Sequence, residues 1–181
     1  MNNQTNTIRA ALIKRLTPYW KMEAGNVFMM PVAAVVAINY FDDAVSLPVL
    51  LAMLSCSSLL VIGAVALRMH LEDVKGDRAF GARALPWLSV AQWPSLGLAL
   101  VGLSAAGYER WDDGRWSASA VVAAILAVLA LLEYINYYMV QLQHFDHKAD
   151  IKRVFSGKGF REAHLAKVLR KYRQGLRSAP R

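Results

Sequence analysis

Four polar residues within the apolar run that follows residue 117 are the strongest candidates for chemistry in this sequence. They are spaced by four, four and three residues: Glu133, Tyr137, Gln141 and His144. That spacing places them on one face of a helix. A carboxyl group in apolar surroundings costs up to about 3 kcal/mol at the centre of a bilayer, so its presence indicates a functional residue. The stripe predicts proton transfer, with Glu133, Tyr137 and His144 as candidate catalytic residues.

The other apolar runs also carry polar residues near one end. The candidate ligand-binding residues are Glu23, Asn26, Arg68, His70, Gln92, Asn136 and Gln141. A few convergent polar groups in an otherwise apolar cavity are typical of a ligand pocket. The sequence therefore predicts a polar pocket in which Glu133 exchanges a proton or holds a cation, while amide side chains orient the ligand. A structural alternative stays open, in which Glu133 pairs with Arg68 or a polar neighbour and only fixes the helix register.

Two pairs of aspartates, each with a spacing of four residues, follow apolar runs: Asp73 with Asp77, and Asp146 with Asp150. On a helical turn, each pair would present two carboxylates on one face, which could hold Mg²⁺ bridged to a diphosphate. All four are therefore candidate metal ligands, with Mg²⁺ as the candidate cofactor. The positions of His70 and His144 permit haem ligation, but histidine is common near a membrane interface, so the pattern does not favour haem.

Four apolar segments must position these residues. The chain has 181 residues, 56% of them hydrophobic, and the hydrophobic residues lie in long blocks over residues 22–41, 47–67, 86–108 and 117–142. Each block reaches the length of about 20 residues that a helix needs to cross a bilayer. The sequence therefore predicts an all-α fold, a four-helix transmembrane bundle formed by residues 22–142.

The distribution of basic residues predicts the orientation of this bundle. If both termini lie on one side, all of the 21 Lys and Arg residues except Arg110 and Arg115 fall on that side. Cytoplasmic segments of membrane proteins are enriched in Lys and Arg. We therefore expect a multi-pass protein of a bacterial inner membrane with both termini in the cytoplasm. The same bias explains the net charge of +8 without a nucleic-acid partner.

The segments before and after the bundle are predicted to be basic surface elements. Residues 1–21 read as a cytoplasmic arm with a short basic interfacial helix, and residues 143–181 as a basic tail. The tail contains an amphipathic helical pattern built on Leu165, Val168, Leu169, Tyr172 and Leu176. Such a helix is attracted to the anionic headgroups of a bilayer, and docking to a cytoplasmic partner is the alternative.

These features leave three classes of function open. The leading hypothesis is a small, non-catalytic inner-membrane protein that binds a lipid-like ligand, or a membrane-protein partner or second copy, through a polar pocket at the inner leaflet. An integral membrane enzyme acting on a lipid or prenyl substrate, including a diphosphate, is the alternative. A small transporter or transporter subunit is the third class. The single cysteine, Cys56, excludes a two-thiol redox mechanism.

Overall fold

The computed structural model describes residues 2–113, 116–142 and 160–175 of the chain. These residues form five helices: α1 (Asn2–Tyr40), α2 (Leu47–Lys75), α3 (Ala79–Asp113), α4 (Ala118–Tyr138) and α5 (His164–Arg173). The first four are long and apolar enough to cross a membrane. The predicted all-α, four-helix transmembrane bundle is therefore confirmed.

Helix α1 is longer than the first apolar segment. The helix predicted within residues 1–21 continues without a break into that segment, so that the two form one helix of 39 residues, including Pro18 and Pro31. At about 1.5 Å per residue it is about 58 Å long, against about 30 Å for the apolar layer of a bilayer. We call the end of the bundle where α1 begins, α2 ends, α3 begins and α4 ends the basic end. The N-terminal half of α1 extends beyond the apolar layer there.

Helix α2 is the central helix of the bundle. It packs along α1, α3 and α4, and α4 also packs along α3, whereas α1 meets α4 over a short stretch. Because no hydrophobic effect drives helices together in lipid, their association depends on close packing. Small residues permit this close approach. Ala123, Ala127 and Ala130 of α4 are fully buried. A Cβ atom on Gly102 would lie 3.5 Å from the Cα atom of Ala52, so the α2 and α3 backbones nearly touch.

Helix α4 ends at Tyr138, four residues before the predicted boundary at residue 142. The backbone beyond it finds partners outside the helix. The Gln141 N–H donates to the Arg161 carbonyl at 2.8 Å, and the Ala163 N–H donates to the Met139 carbonyl at 3.1 Å. The prediction that α4 continues to residue 142 is therefore wrong, because this short antiparallel pairing replaces its last turn.

Helix α5 lies against the basic end of the bundle. It packs on α3 and α4, with Leu165 and Leu169 only 3% and 2% exposed. The amphipathic helix predicted from the sequence is present, but its apolar face is covered by protein. Contact with anionic headgroups stays a prediction, and it now rests on the basic face of α5 alone.

Candidate functional site

The first polar site is a cluster of Glu23, Glu133 and Tyr137, which we call the carboxyl–phenol cluster. It forms where α1, α2 and α4 meet, and both Glu23 and Tyr137 are 7% exposed. The Tyr137 hydroxyl donates a hydrogen bond to Glu23 Oε1 and also interacts with the Glu133 carboxylate. The Asn136 amide donates to Glu133 Oε2 at 3.5 Å. The predicted grouping of Glu23, Glu133, Asn136 and Tyr137 is therefore present in the structure.

Gly63 of α2 provides the space for this cluster. A Cβ atom at this position would overlap the phenol of Tyr137 and would lie 2.8 Å from Glu23 Oε1. Gly63 was not among the predicted site residues, although it is the one glycine of the second apolar segment. Glycine here permits a tyrosine head and a carboxylate to fit between three helices.

The carboxyl–phenol cluster lies within the apolar layer, close to the basic end. At about 1.5 Å per residue, Glu133 is about 22 Å from the start of α4 and Glu23 about 25 Å from the end of α1. Both carboxylates are thus about 5–8 Å inside a layer of about 30 Å. Two carboxyl groups around one phenol can hold and exchange a proton, which is the chemistry predicted for Glu133.

Arg68 does not take part in this cluster. Its guanidinium lies 5.3 Å from the ring centre of Trp20 and 5.1 Å from that of Phe80. Glu133 therefore does not pair with Arg68. Its partners are polar neighbours on its own helix, so the alternative in which Glu133 only fixes the helix register stays open. Stacking on aromatic rings near the end of α2 is the contact expected of an arginine at a membrane interface.

Gln92 contacts α4 at Tyr134 and not at Glu133. Its amide nitrogen is 3.4 Å from the Tyr134 hydroxyl, and its oxygen accepts a hydrogen bond from Arg173 at 2.6 Å. A shift of one residue on a helix rotates a side chain by about 100°, so Tyr134 faces α3 while Glu133 faces away from it. The single predicted pocket is therefore wrong, because the structure divides its residues between two sites.

The second polar site is a cleft of about 310 Å³ between α3, the end of α4 and α5, which we call the α5 cleft. Its walls include Gln92, Tyr138, Glu162, Leu169, Arg170 and Arg173. Apart from Gln92, none of these was a predicted site residue. The basic face of the amphipathic pattern in the tail could have indicated a binding surface. The sequence does not show which helix this face lies beside.

Arg173 is fixed at the wall of the α5 cleft by three hydrogen bonds. Its Nε donates to Ser89 Oγ at 3.2 Å, and its Nη2 donates to the Ser89 carbonyl at 3.3 Å and to Gln92 Oε1 at 2.6 Å. Arg170, on the same wall, pairs with Glu162 at 3.0 Å. The cleft thus presents one arginine in a fixed position and a second one engaged in an exchangeable ion pair.

His70 contacts the first residue of α5. Its ring lies 4.1 Å from the ring of His164, centre to centre. Partial burial lowers the pKa of His164, and the adjacent His70, Lys167 and Lys171 lower it further, against the opposing effect of Asp73. His164 is nevertheless an exposed residue. The pair adds a contact between α2 and α5 that favours neutral imidazoles.

Asp73 and Asp77, the predicted pair that the structure describes, do not form a metal site with other described residues. Gly76, with φ of +92°, ends α2 between Asp73 and Asp77, so the two do not share a helical face as predicted. The Asp73 Oδ1 atom lies 3.9 Å from Arg78 Nε. Asp77 Oδ1 accepts a hydrogen bond from the Ala79 N–H at 2.9 Å, at the start of α3. Within the described ranges, no three His, Cys, Asp or Glu side chains could hold a metal ion.

The remaining predicted residues are distributed as follows. Asn26 lies one turn beyond Glu23 on α1, half-buried. Gln141 follows the end of α4 and is therefore not on the helical stripe with Glu133 and Tyr137, which corrects that prediction. His144, Asp146 and Asp150 lie outside the described residues, so the metal and catalytic roles assigned to them stay predictions.

Comparison of the chain with protein-family models, with curated proteins and with solved structures gave no match. The functional assignment therefore rests on the geometry of the two polar sites.

Proposed function

We propose that this polytopic membrane protein belongs to a bacterial inner membrane, with its basic end in the cytoplasm, and binds a lipid-like ligand in the α5 cleft. The observation that carries the proposal is the position of this cleft along the spanning helices. Tyr138 on its wall is the last residue of α4, about 30 Å from the first. A cleft at this level opens where headgroups meet acyl chains.

The size and lining of the cleft also support an amphiphilic ligand. Ligand pockets range from about 300 to 1,000 Å³, so a volume of about 310 Å³ accommodates a headgroup but not two acyl chains. The chains would lie on the adjacent face of α3, where Val90 and Trp93 are 72% and 68% exposed. Leu169 and Tyr138 provide an apolar wall, and Gln92 and Arg173 provide a polar one.

Filling the cleft tests this proposal. Ala166 lines the cleft, so Ala166→Trp should place an indole ring in it, whereas Ala82→Trp adds the same ring to an exposed position on α3. Each protein is purified in mild detergent, and the lipids it retains are identified by native mass spectrometry. Wild type and Ala82→Trp should retain one lipid, and Ala166→Trp should retain it about tenfold less, a loss equivalent to about 1.4 kcal/mol. Equal retention in all three proteins would contradict the proposal.

An enzyme acting on a lipid is the second candidate, and the carboxyl–phenol cluster is the observation that favours it. Glu133 keeps partial exposure, so a ligand could reach its carboxylate. The same lipid analysis on Glu133→Gln separates the two functions. Binding without catalysis predicts unchanged lipids in the membrane and in the purified protein, whereas catalysis predicts that a substrate lipid accumulates while the amount of folded protein is unchanged.

A further inference from the structure

Arg173 is oriented by the fold in a way that leaves part of its guanidinium available to a ligand. A guanidinium carries five N–H groups, one on Nε and two on each terminal nitrogen. Those on Nε and Nη2 are directed to Ser89 and Gln92. The two on Nη1 have no hydrogen-bond partner within the described residues. Because the side chain is already held in place, little additional ordering is needed when it binds a ligand.

The charges around the cleft indicate the kind of ligand that this arginine would bind. Among the described residues, three charged side chains line it: Glu162, Arg170 and Arg173. The Glu162 carboxylate is opposed by Arg170 at 3.0 Å, so the positive charge of Arg173 has no opposing carboxylate in the described part of the wall. A ligand with a single negative charge would neutralise the lining.

We propose that the α5 cleft recognises the phosphodiester group of a phospholipid, with Arg173 as the residue that binds the phosphate. This inference rests on the proposed function and names the ligand class for the same cleft. The N–H groups of arginine form charge-assisted hydrogen bonds with phosphate oxygens, here through the two N–H groups of Nη1, and a phosphodiester carries the single negative charge that the lining lacks. Its phosphate also lies at the boundary between headgroups and acyl chains, which is the level of Gln92 and Tyr138.

The test compares ligands with and without phosphate on the full-length protein in detergent. Binding of dioctanoyl phosphatidylglycerol, dioctanoylglycerol and inorganic phosphate is measured by isothermal titration calorimetry. We expect phosphatidylglycerol to bind at least about tenfold more tightly than dioctanoylglycerol, because a hydrogen bond to a charged group contributes about 1.5–3 kcal/mol. Inorganic phosphate should compete weakly, since it lacks the apolar part of the ligand.

Arg173→Gln should remove this preference for phosphatidylglycerol. Arg173→Lys should restore only part of it, because the three N–H groups of an ammonium cannot replace the three hydrogen bonds to Ser89 and Gln92 and also bind phosphate. Lys171→Gln is the matched control, since it removes one positive charge from an exposed position on the same helix outside the cleft lining. Thermal unfolding of each variant verifies that it is folded. An equal loss of binding in Arg173→Gln and Lys171→Gln would overturn the inference, because general charge attraction would then explain it.

The outcomes separate this inference from the proposed function. Equal binding of phosphatidylglycerol and dioctanoylglycerol that Ala166→Trp abolishes would overturn phosphate recognition and leave lipid binding intact. Inorganic phosphate that binds as tightly as phosphatidylglycerol would retain phosphate recognition and overturn the lipid as its source. If none of the three ligands binds, both proposals fail.

Discussion

Gly63 and Tyr137 show how one missing side chain in α2 permits a polar contact inside the apolar layer. The Tyr137 hydroxyl reaches Glu23 only because no Cβ atom stands on Gly63. Without this hydrogen bond, the buried Glu23 carboxyl would lose its described hydrogen-bond donor, which is costly in low-dielectric surroundings. The contact also joins α1 to α4 directly, where these two helices otherwise meet over a short stretch.

Gly63→Ala should therefore destabilise the protein. The added methyl group would displace the buried phenol and break the contact between α1 and α4, at a cost of about 1–3 kcal/mol in the free energy of unfolding, as is typical of overpacked cores. Thermal unfolding of the purified protein measures the change. Gly97→Ala is the control, because a Cβ atom on Gly97 meets nothing within 4 Å. Equal melting temperatures for Gly63→Ala and Gly97→Ala would contradict the argument.

At the residue scale, the sequence predicts which polar side chains lie within the apolar layer, but not which of them are in contact. The spacing of Glu133 and Tyr137 follows from helix geometry alone and is correct. Glu23 meets Tyr137 because of the way α1 leans on α2, which no local pattern encodes. The role of Arg173 could not be predicted, because the tail contains many basic residues. Only its contacts with Ser89 and Gln92 distinguish Arg173 from them.

Helix α4 begins at the end of the bundle opposite the basic end, where Asp43 from the loop between α1 and α2 supports its first turn. Asp43 accepts the Ser119 N–H at 2.9 Å and the Ala44 N–H at 2.8 Å, and Ser117 caps the helix through the Ala120 N–H at 3.0 Å. These backbone hydrogen bonds lower the pKa of Asp43 from its ordinary value of 3.8. A carboxylate at a helix N-terminus is also favoured by the helix dipole.

Asp43→Asn should destabilise the protein at neutral pH by about 1 kcal/mol, the usual effect of losing an N-terminal cap. Because folding lowers the pKa of Asp43, its carboxylate stabilises the folded protein above the ordinary value of 3.8, and this contribution is lost as the pH falls through the lower folded-state pKa. The difference in melting temperature between wild type and Asp43→Asn should therefore shrink on acidification below that value.

The matched control for this prediction is Asp42→Asn. It removes a negative charge from the adjacent position, where φ of +52° favours asparagine. Asp42→Asn should leave the pH dependence of the melting temperature the same as in wild type. A destabilisation by Asp43→Asn that is equal at acidic and neutral pH would contradict a role for the negative charge of Asp43.

At the element scale, the four spanning helices follow from apolar length, but their ends do not. The predicted spans omit the polar ends of α1, α2 and α3, because composition marks the apolar layer and not the whole helix. The end of α4 depends on pairing between residues 139–141 and 161–163. Residues 142–160 separate these two segments in the sequence. Such long-range hydrogen bonds are not encoded in helix propensity.

Across the whole molecule, α4 separates two polar sites near the same end. The carboxyl–phenol cluster faces α1 and α2, and the α5 cleft faces α3 and α5. Acid–base groups and a fixed arginine therefore do not share one cavity, which supports binding over catalysis in the cleft. The opposite end carries Asp43 and Glu109, with Glu109 accepting the Ser46 hydroxyl at 3.0 Å. This contrast in charge between the two ends underlies the proposed orientation.

The orientation is testable by cysteine labelling, because Cys56 is 2% exposed and should not react. Val45→Cys places a thiol on the loop between α1 and α2, and Lys171→Cys places one on α5; both positions are exposed. A membrane-impermeant maleimide added to intact spheroplasts should label Val45→Cys, while Lys171→Cys should react only after lysis, because Lys and Arg are retained on the cytoplasmic side. Labelling of Lys171→Cys in intact spheroplasts would invert the orientation, and the α5 cleft would then face the outer leaflet.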